Sequence, residues 1–215
     1  MENLPKDLSL YLVTDERMDF TLQLKKIEEA IKGGVTMVQL REKKIDGGEF
    51  LKRAKQLKKL TSSYNVPFVI NDRIDIALAV EADGIHIGQT DIPLSDAKKM
   101  VPKTMFIGVS VKTMDQAKEA EQEGADYVGI GSVFPTETKE DAERITLDLL
   151  GNITSSISIP SVAIGGINQN NIEQLTKSKI DGVAVVSSIL SAKDSKKALN
   201  NFQYLNKNLN ELSQH

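Results

Sequence analysis

A chain of 215 residues that is 40% hydrophobic and 27% charged is long enough for one well-cored domain and short for two. Its net charge of -3 comes with lysine and arginine scattered rather than striped, which makes no case for nucleic acid, and the absence of cysteine excludes disulfides, thiolate zinc sites and cysteine nucleophiles. No apolar run approaches the roughly 20 residues that span a bilayer, and the first seven residues lack the basic-then-apolar order of a signal peptide, so a soluble cytoplasmic protein is expected.

In chain order, short runs rich in Val and Ile alternate with longer amphipathic stretches. Strands are predicted over 9–14, 37–41, 67–71, 84–88, 105–109, 127–131, 161–165 and 183–187. Their nearly continuous apolar character is that of strands covered on both faces. Between the first two, residues 23–32 place Leu24, Ile27, Ala30 and Ile31 on one helical stripe, and residues 50–60 do the same with Phe50, Leu51, Ala54, Leu57 and Leu60. Asp46 and Asn170 stand where caps are expected before the second and seventh helices, and Gly33 and Gly34 follow the first. Residues 196–212 read as the last helix, with Leu199, Phe202, Leu205 and Leu209 turned inward. Eight βα units without a linker predict a single α/β domain, a (β/α)8 TIM barrel over residues 1–215. A doubly wound open sheet also alternates, but it gathers polar residues at one switch point. Here they follow nearly every strand.

Those strand ends would surround one mouth. Strand two runs into Gln39, Leu40, Arg41, Glu42 and Lys43; strand three ends in Asn71 and Asp72; Asp91 follows strand four, and Ser110 strand five. Asp72 and Asp91 follow neighbouring strands, and two carboxylates without cysteine or a histidine cluster suit an oxygen-preferring ion, Mg²⁺ above all. Either aspartate alone reads better as a cap or turn residue; the two after adjacent strands, with Asn71 beside one, favour the ion. Arg41, Lys43 and Lys139 could clamp a diphosphate or could belong to a structural ion-pair network, and both readings stand. Gly165 and Gly166 after strand seven, with Val186 and Ser187 after strand eight, suit a phosphate cup; Thr136 and Thr138 would add hydroxyl donors from the loop after strand six. His86 reads as a strand histidine bonded to its neighbours rather than a base, and His215 is terminal. With conventional bases so scarce, chemistry driven by a leaving group and a metal ion is expected.

Taken together, the pentad from Gln39 to Lys43, Asn71-Asp72, the stretch from Gly84 to Asp91, Gly108-Val-Ser110, Pro135-Thr-Glu-Thr-Lys139, Ala163-Ile-Gly-Gly-Ile167 and Val186-Ser187 resemble the thiamine-phosphate synthase family across nearly the whole chain. The resemblance implies joining of 4-amino-2-methyl-5-(diphosphooxymethyl)pyrimidine to 4-methyl-5-(2-phosphooxyethyl)thiazole, with release of diphosphate. It places Gln39, Leu40, Arg41, Glu42, Lys43, Asn71, Ser110 and Lys139 about the pyrimidine diphosphate, with Arg41, Lys43, Lys139 and Ser110 taking part in catalysis. It places Thr136, Glu137, Thr138, Gly166, Val186 and Ser187 at the thiazole phosphate, and Mg²⁺ on Asp72 and Asp91. Two other readings are a thiazole tautomerase-like paralogue and a non-catalytic ligand-binding barrel. The tautomerase group carries histidine where this chain has Lys112, and lacks the full loop from Thr136 to Lys139. The acidic stretch 140–144 departs from the small and glycine residues expected there and reads as a solvated face or a lid. Oligomeric state is not legible.

Overall fold

The computed structural model describes residues 4–136 and 144–190. A short opening helix α1 (Leu4–Asp7) leads into β1 (Leu10–Val13), α2 (Phe20–Lys32), β2 (Met37–Leu40), α3 (Gly47–Ser63), β3 (Phe68–Asn71), α4 (Ile74–Ala79) and β4 (Gly84–Ile87). The second half runs through α5 (Leu94–Met100), β5 (Phe106–Val111), α6 (Met114–Glu123), β6 (Tyr127–Gly131), α7 (Leu147–Ser155), β7 (Ser161–Ile164), a 3-10 turn (Ile172–Leu175), β8 (Gly182–Val185) and α8 (Ser187–Leu190). The eight strands are parallel, pair in sequence order and close between β1 and β8. The (β/α)8 barrel predicted above is therefore the observed fold, and the open sheet is excluded by that closure. Among the described residues no helix is long and apolar enough to cross a membrane.

Local chemistry accounts for most of the boundaries. Asp19 and Asp46 cap α2 and α3, accepting from the main-chain N–H groups of Leu22 and Glu49, each at 2.9 Å. α2 thus starts three residues before the predicted 23. Gln23 is buried there with Nε2 on the Asp15 carbonyl at 2.7 Å, whereas Leu24 of the predicted stripe is only partly buried. After α2 it is Gly34 (φ 106°), not Gly33, that takes the left-handed turn.

Three expectations need correction. β5 continues to Val111, because Val111 still pairs with Ile130, so Ser110 lies inside the strand. β8 starts one residue early, at Gly182, where a Cβ would sit 1.9 Å from the Leu8 carbonyl oxygen, and it ends before Val186 and Ser187. Before the seventh connection Asn170 caps nothing. Asn168 and Asn171 use their side chains on each other's turn and on the Gly166 carbonyl, and only a 3-10 turn follows. The predicted C-terminal helix lies outside the described residues.

Strand alternation divides the core in two. Outward residues such as Leu12, Val38, Leu40, Ile70 and Val128 pack against the helices. Inward residues Tyr11, Val13, Met37, Val69, Phe106, Tyr127, Val162 and Ala184 fill the barrel, floored by Leu4 and Leu8. By the same two-residue period Gln39, Asn71, His86 and Ser110 point inward one step nearer the carboxyl ends. The barrel is thus apolar below and polar above, which sets the place of any chemistry.

Candidate active site

One side of the mouth is built by the ends of β1 to β4. Thr14, just after β1, ties the start of the β2 loop: its hydroxyl accepts from Arg41 N at 2.8 Å and donates to Arg41 O at 3.3 Å. Glu16 then accepts from Lys43 N at 2.8 Å. Asp15 is gripped by Arg17 through two guanidinium hydrogen bonds of 2.9 and 2.7 Å. Its carboxyl is held below the usual range, first by Arg17 and with a smaller contribution from the charge of Arg41. The β1 turn therefore positions Arg41 and Lys43 through main-chain contacts, before any ligand is involved.

Lys43 Nζ pairs with Asp72 Oδ2. Asp72 sits at φ 60°, with its N–H on the His86 carbonyl at 2.9 Å. That left-handed turn carries the carboxyl to Lys43, with Asp91 near enough to act on it. Asp91 also accepts from Gly88 N at 2.7 Å, so it is a turn residue as well as a mouth carboxylate. Burial raises the Asp72 carboxyl above its ordinary value, Asp91 raises it further, and Lys43 opposes both. Two neighbouring half-buried carboxylates favour a shared proton or a nearby positive charge, and Lys43 supplies one. Among the described residues no group of three or more metal-binding side chains occurs. A pair of carboxylates nonetheless fits Mg²⁺, which binds through one or two of them and completes its shell with waters and substrate phosphates.

Leu40 and Glu42 do not present side chains to the mouth. Leu40 faces the helices, fully buried. The Glu42 side chain, 1% exposed, turns under α3 to meet Arg53 Nη1 at 2.8 Å, and its Oε2 has no hydrogen-bond partner among the described residues. Only their main chain lies along the path between Gln39 and Lys43. Burial raises the Glu42 carboxyl despite Arg53. Below about pH 4.5, its ordinary value, Glu42 is protonated folded or unfolded and costs nothing. As pH rises from there the unfolded chain ionises first, so stability is lost until pH passes the folded value. Arg53 keeps Glu49 at 3.1 Å. Glu42→Gln is therefore expected to gain stability relative to the parent as pH goes from 4.5 to 7.5, read by urea unfolding; a stability difference that stays flat or moves the other way would refute the assignment.

Inside the mouth runs a hydrogen-bonded chain that the sequence did not announce. Gln39 Nε2 donates to Tyr11 Oη at 2.6 Å, and Tyr11 Oη lies 3.0 Å from Tyr127 Oη. Tyr127 Oη is 2.9 Å from His86 Nδ1, and His86 Nε2 is 2.8 Å from Ser110 Oγ. Gln89 Nε2 reaches the Ser110 carbonyl at 2.8 Å. The expectation that His86 is bonded to its neighbours is what the geometry shows. Asn71 is in register with His86 on the adjacent strand.

The opposite side of the mouth is glycine-built. Gly165 (φ 104°) and Gly166 (φ 63°) lie under the loop after β6, where a Cβ would meet Ser132 Oγ at 2.1 Å and Pro135 O at 2.2 Å respectively. Both are thus required by this turn and its close packing. Val186 leaves β8, its carbonyl accepting from Ile189 and Leu190 N–H groups at 3.2 and 3.1 Å, and exposed Ser187 opens α8. Half-buried Thr136 ends the described part of the β6 loop. Glu137, Thr138 and Lys139, with most of the acidic stretch, lie outside the described residues.

A family model described as thiamine monophosphate synthase matches residues 10–189. The chain belongs to that family. It is 50% identical over 199 residues to a thiamine-phosphate synthase of Clostridium tetani, covering 92% of this chain and 95% of the relative. Identity is again 50%, over 201 residues, to a thiamine-phosphate synthase of Methanobrevibacter smithii, covering 94% and 95%. Among solved structures, a thiamine phosphate pyrophosphorylase of Pyrococcus furiosus superposes with a TM-score of 0.87 at 42% identity, covering 98% of this chain and 99% of that one.

Within this thiamine monophosphate synthase scaffold, sequence reasoning missed Tyr11, Thr14, Glu16, Gln89 and Tyr127. A signal for two of them was present. Tyr11 and Tyr127 sit in apolar strand runs, where a buried phenol needs a partner. Gly84 opens β4, and Gly108 and Gly129 lie inside β5 and β6, where glycine weakens pairing and marks close approach. Each makes room for an inward ring: Phe106, Tyr127 and His86 respectively.

Proposed function

We infer that this protein is a thiamine-phosphate synthase, a transferase that joins the pyrimidine diphosphate to the thiazole phosphate. The bond from the pyrimidine's exocyclic carbon to diphosphate oxygen breaks, and its electron pair leaves with the diphosphate. The thiazole nitrogen then supplies the pair for the new C–N bond. The observation that carries the reading is the convergence of Lys43, Asp72 and Asp91 from three successive strand ends on one side of the mouth, beside Arg41. Relatives named for this activity at 50% identity support it.

In this reading Arg41, Lys43 and Lys139 bind and neutralise the departing diphosphate. Such preset charges act electrostatically and require no proton transfer. Asp72 and Asp91 would hold Mg²⁺, which supplies further charge stabilisation of the leaving group. Gln39, Asn71 and Ser110 orient the pyrimidine. Thr136, Thr138, Gly166, Val186 and Ser187 receive the thiazole phosphate, with Glu137 in the same loop. Confining both partners to one mouth contributes the rest by proximity. No nucleophilic side chain is required, in keeping with a chain that lacks cysteine and ties its strand histidine into hydrogen bonds.

Incubating the purified protein with both phosphorylated substrates and Mg²⁺ should yield thiamine phosphate and one equivalent of diphosphate. Binding of both substrates without product by folded protein would instead establish a non-catalytic barrel.

A further inference from the structure

The buried chain from Gln39 to Ser110 has a direction. With the Gln39 amide donating to Tyr11 Oη, the Tyr11 hydrogen has Tyr127 Oη as its acceptor. The Tyr127 hydrogen then goes to His86 Nδ1, its other neighbour at 2.9 Å. A neutral imidazole that accepts at Nδ1 carries its proton on Nε2, so it donates to Ser110 Oγ, 2.8 Å away. Ser110 Oγ, filled on that side as an acceptor, is left to offer its own hydrogen elsewhere. The serine is half-buried near the carboxyl ends of the strands, where that hydrogen is available to a ligand at the mouth.

The setting keeps this order. Both tyrosines are fully buried, and burial raises each phenol well above its ordinary value, so both remain O–H donors. The Tyr127 ring lies over Gly108, where a Cβ would be 2.1 Å from Cζ; it meets Tyr11 and Phe106 edge-to-face and His86 at a tilt. A buried polar network of this kind is rigid when every member is satisfied.

We propose that Tyr11 and Tyr127, which lie too deep to meet a ligand at the mouth, are positioning residues that hold His86 as the Nε2–H tautomer and so present Ser110 to the pyrimidine substrate as a hydrogen-bond donor. The matching feature on the substrate is an acceptor atom of the heteroaromatic ring. This rests on the reading of Ser110 as a pyrimidine contact.

Two measurements test it. The chain has two histidines, so in ¹⁵N-labelled His215→Gln protein the long-range ¹⁵N–¹H correlations belong to His86. Protonation at Nε2 with bare Nδ1 is expected at neutral pH, and protonation at Nδ1 overturns the proposal. In steady-state kinetics Tyr127→Phe should lower kcat/KM for the pyrimidine diphosphate about tenfold, the scale of one misdirected hydrogen bond, with KM for the thiazole phosphate unchanged. Tyr11→Phe should do the same more weakly. In a Ser110→Ala background, Tyr127→Phe should change kcat/KM less than about twofold, because the route to substrate is already cut. An equal loss in both backgrounds means a merely structural tyrosine and overturns the proposal. Full activity of Ser110→Ala also overturns it, through the Ser110 contact. Failure of the synthase reading is recognised separately, by a parent enzyme that forms no product.

Discussion

Asp72→Asn and Asp91→Asn should each lower turnover about 10²- to 10³-fold while leaving the barrel folded, the scale on which a single preset electrostatic partner acts. Asparagine is nearly isosteric and is among the few residues that tolerate positive φ, so the backbone at Asp72 (φ 60°) can keep its turn. At position 91 the amide oxygen can still accept from Gly88 N, which the native carboxylate does at 2.7 Å. What each variant removes is one negative charge from a neighbouring pair. Without a bound cation that charge is a burden, since burial and Asp91 together raise the Asp72 carboxyl. Both variants should therefore unfold at the same temperature as the parent or a little higher when no metal is added, and should lack the stabilisation that added Mg²⁺ is expected to give the parent. Thermal denaturation with and without Mg²⁺, beside a Mg²⁺ titration of initial rate, reads both effects. An unaltered Mg²⁺ dependence in either variant refutes its role as a ligand.

Gly108→Ala should be strongly damaging to both stability and activity. The added Cβ would lie 2.1 Å from Tyr127 Cζ and 2.5 Å from its hydroxyl. The ring has little room to retreat, since its hydroxyl is bonded to Tyr11 at 3.0 Å and to His86 at 2.9 Å, with Phe106 packed edge-on behind it. Overpacking of this sort costs about 1–3 kcal/mol, or about 2–12 °C in Tm for a domain of this size. Displacing the ring should also break the path to Ser110, so activity falls with stability. Gly151→Ala in α7 is the control: nothing lies within 4 Å of its Cβ, and helical alanine should gain about 0.5–1 kcal/mol. Differential scanning calorimetry of the pair should move Tm in opposite directions, and a Gly108→Ala protein as stable as the parent would show that the ring is not held as described.

How much of this was legible follows from particular residues. Asp46 announced α3 because a cap is a local event, read from one side chain and the N–H three residues on. Asn170 misled because asparagine also closes turns: its neighbours Asn168 and Asn171 both donate side-chain amides to the Gly166 carbonyl, and Asn171 Oδ1 accepts from Asn168 N. The stripe in α3 was readable as Phe50, Ala54 and Leu57, all buried. In the strands no such stripe exists. Both faces of a barrel strand are buried, so Val38 and Leu40 on one side look like Met37 on the other. The pentad from Gln39 to Lys43 could be recognised as a unit, but not that Leu40 and Glu42 turn away toward the helices and Arg53.

The order of the elements, the barrel and the polar residues at its strand ends were set by the sequence alone, because periodicity, caps and residue type are local properties. The sequence also brought Asp72 and Asp91 to one side of the mouth in prospect, since they follow neighbouring strands. Tertiary structure decided the rest: the left-handed turn that carries Asp72 to Lys43, and the chain from Gln39 through Tyr11, Tyr127 and His86 to Ser110. Tyr11 and Tyr127 are 116 residues apart and meet only because closure and register place β1 and β6 across one interior. That meeting depends on the stagger between strands and on glycines that leave room for a ring, and neither is a property of any one segment.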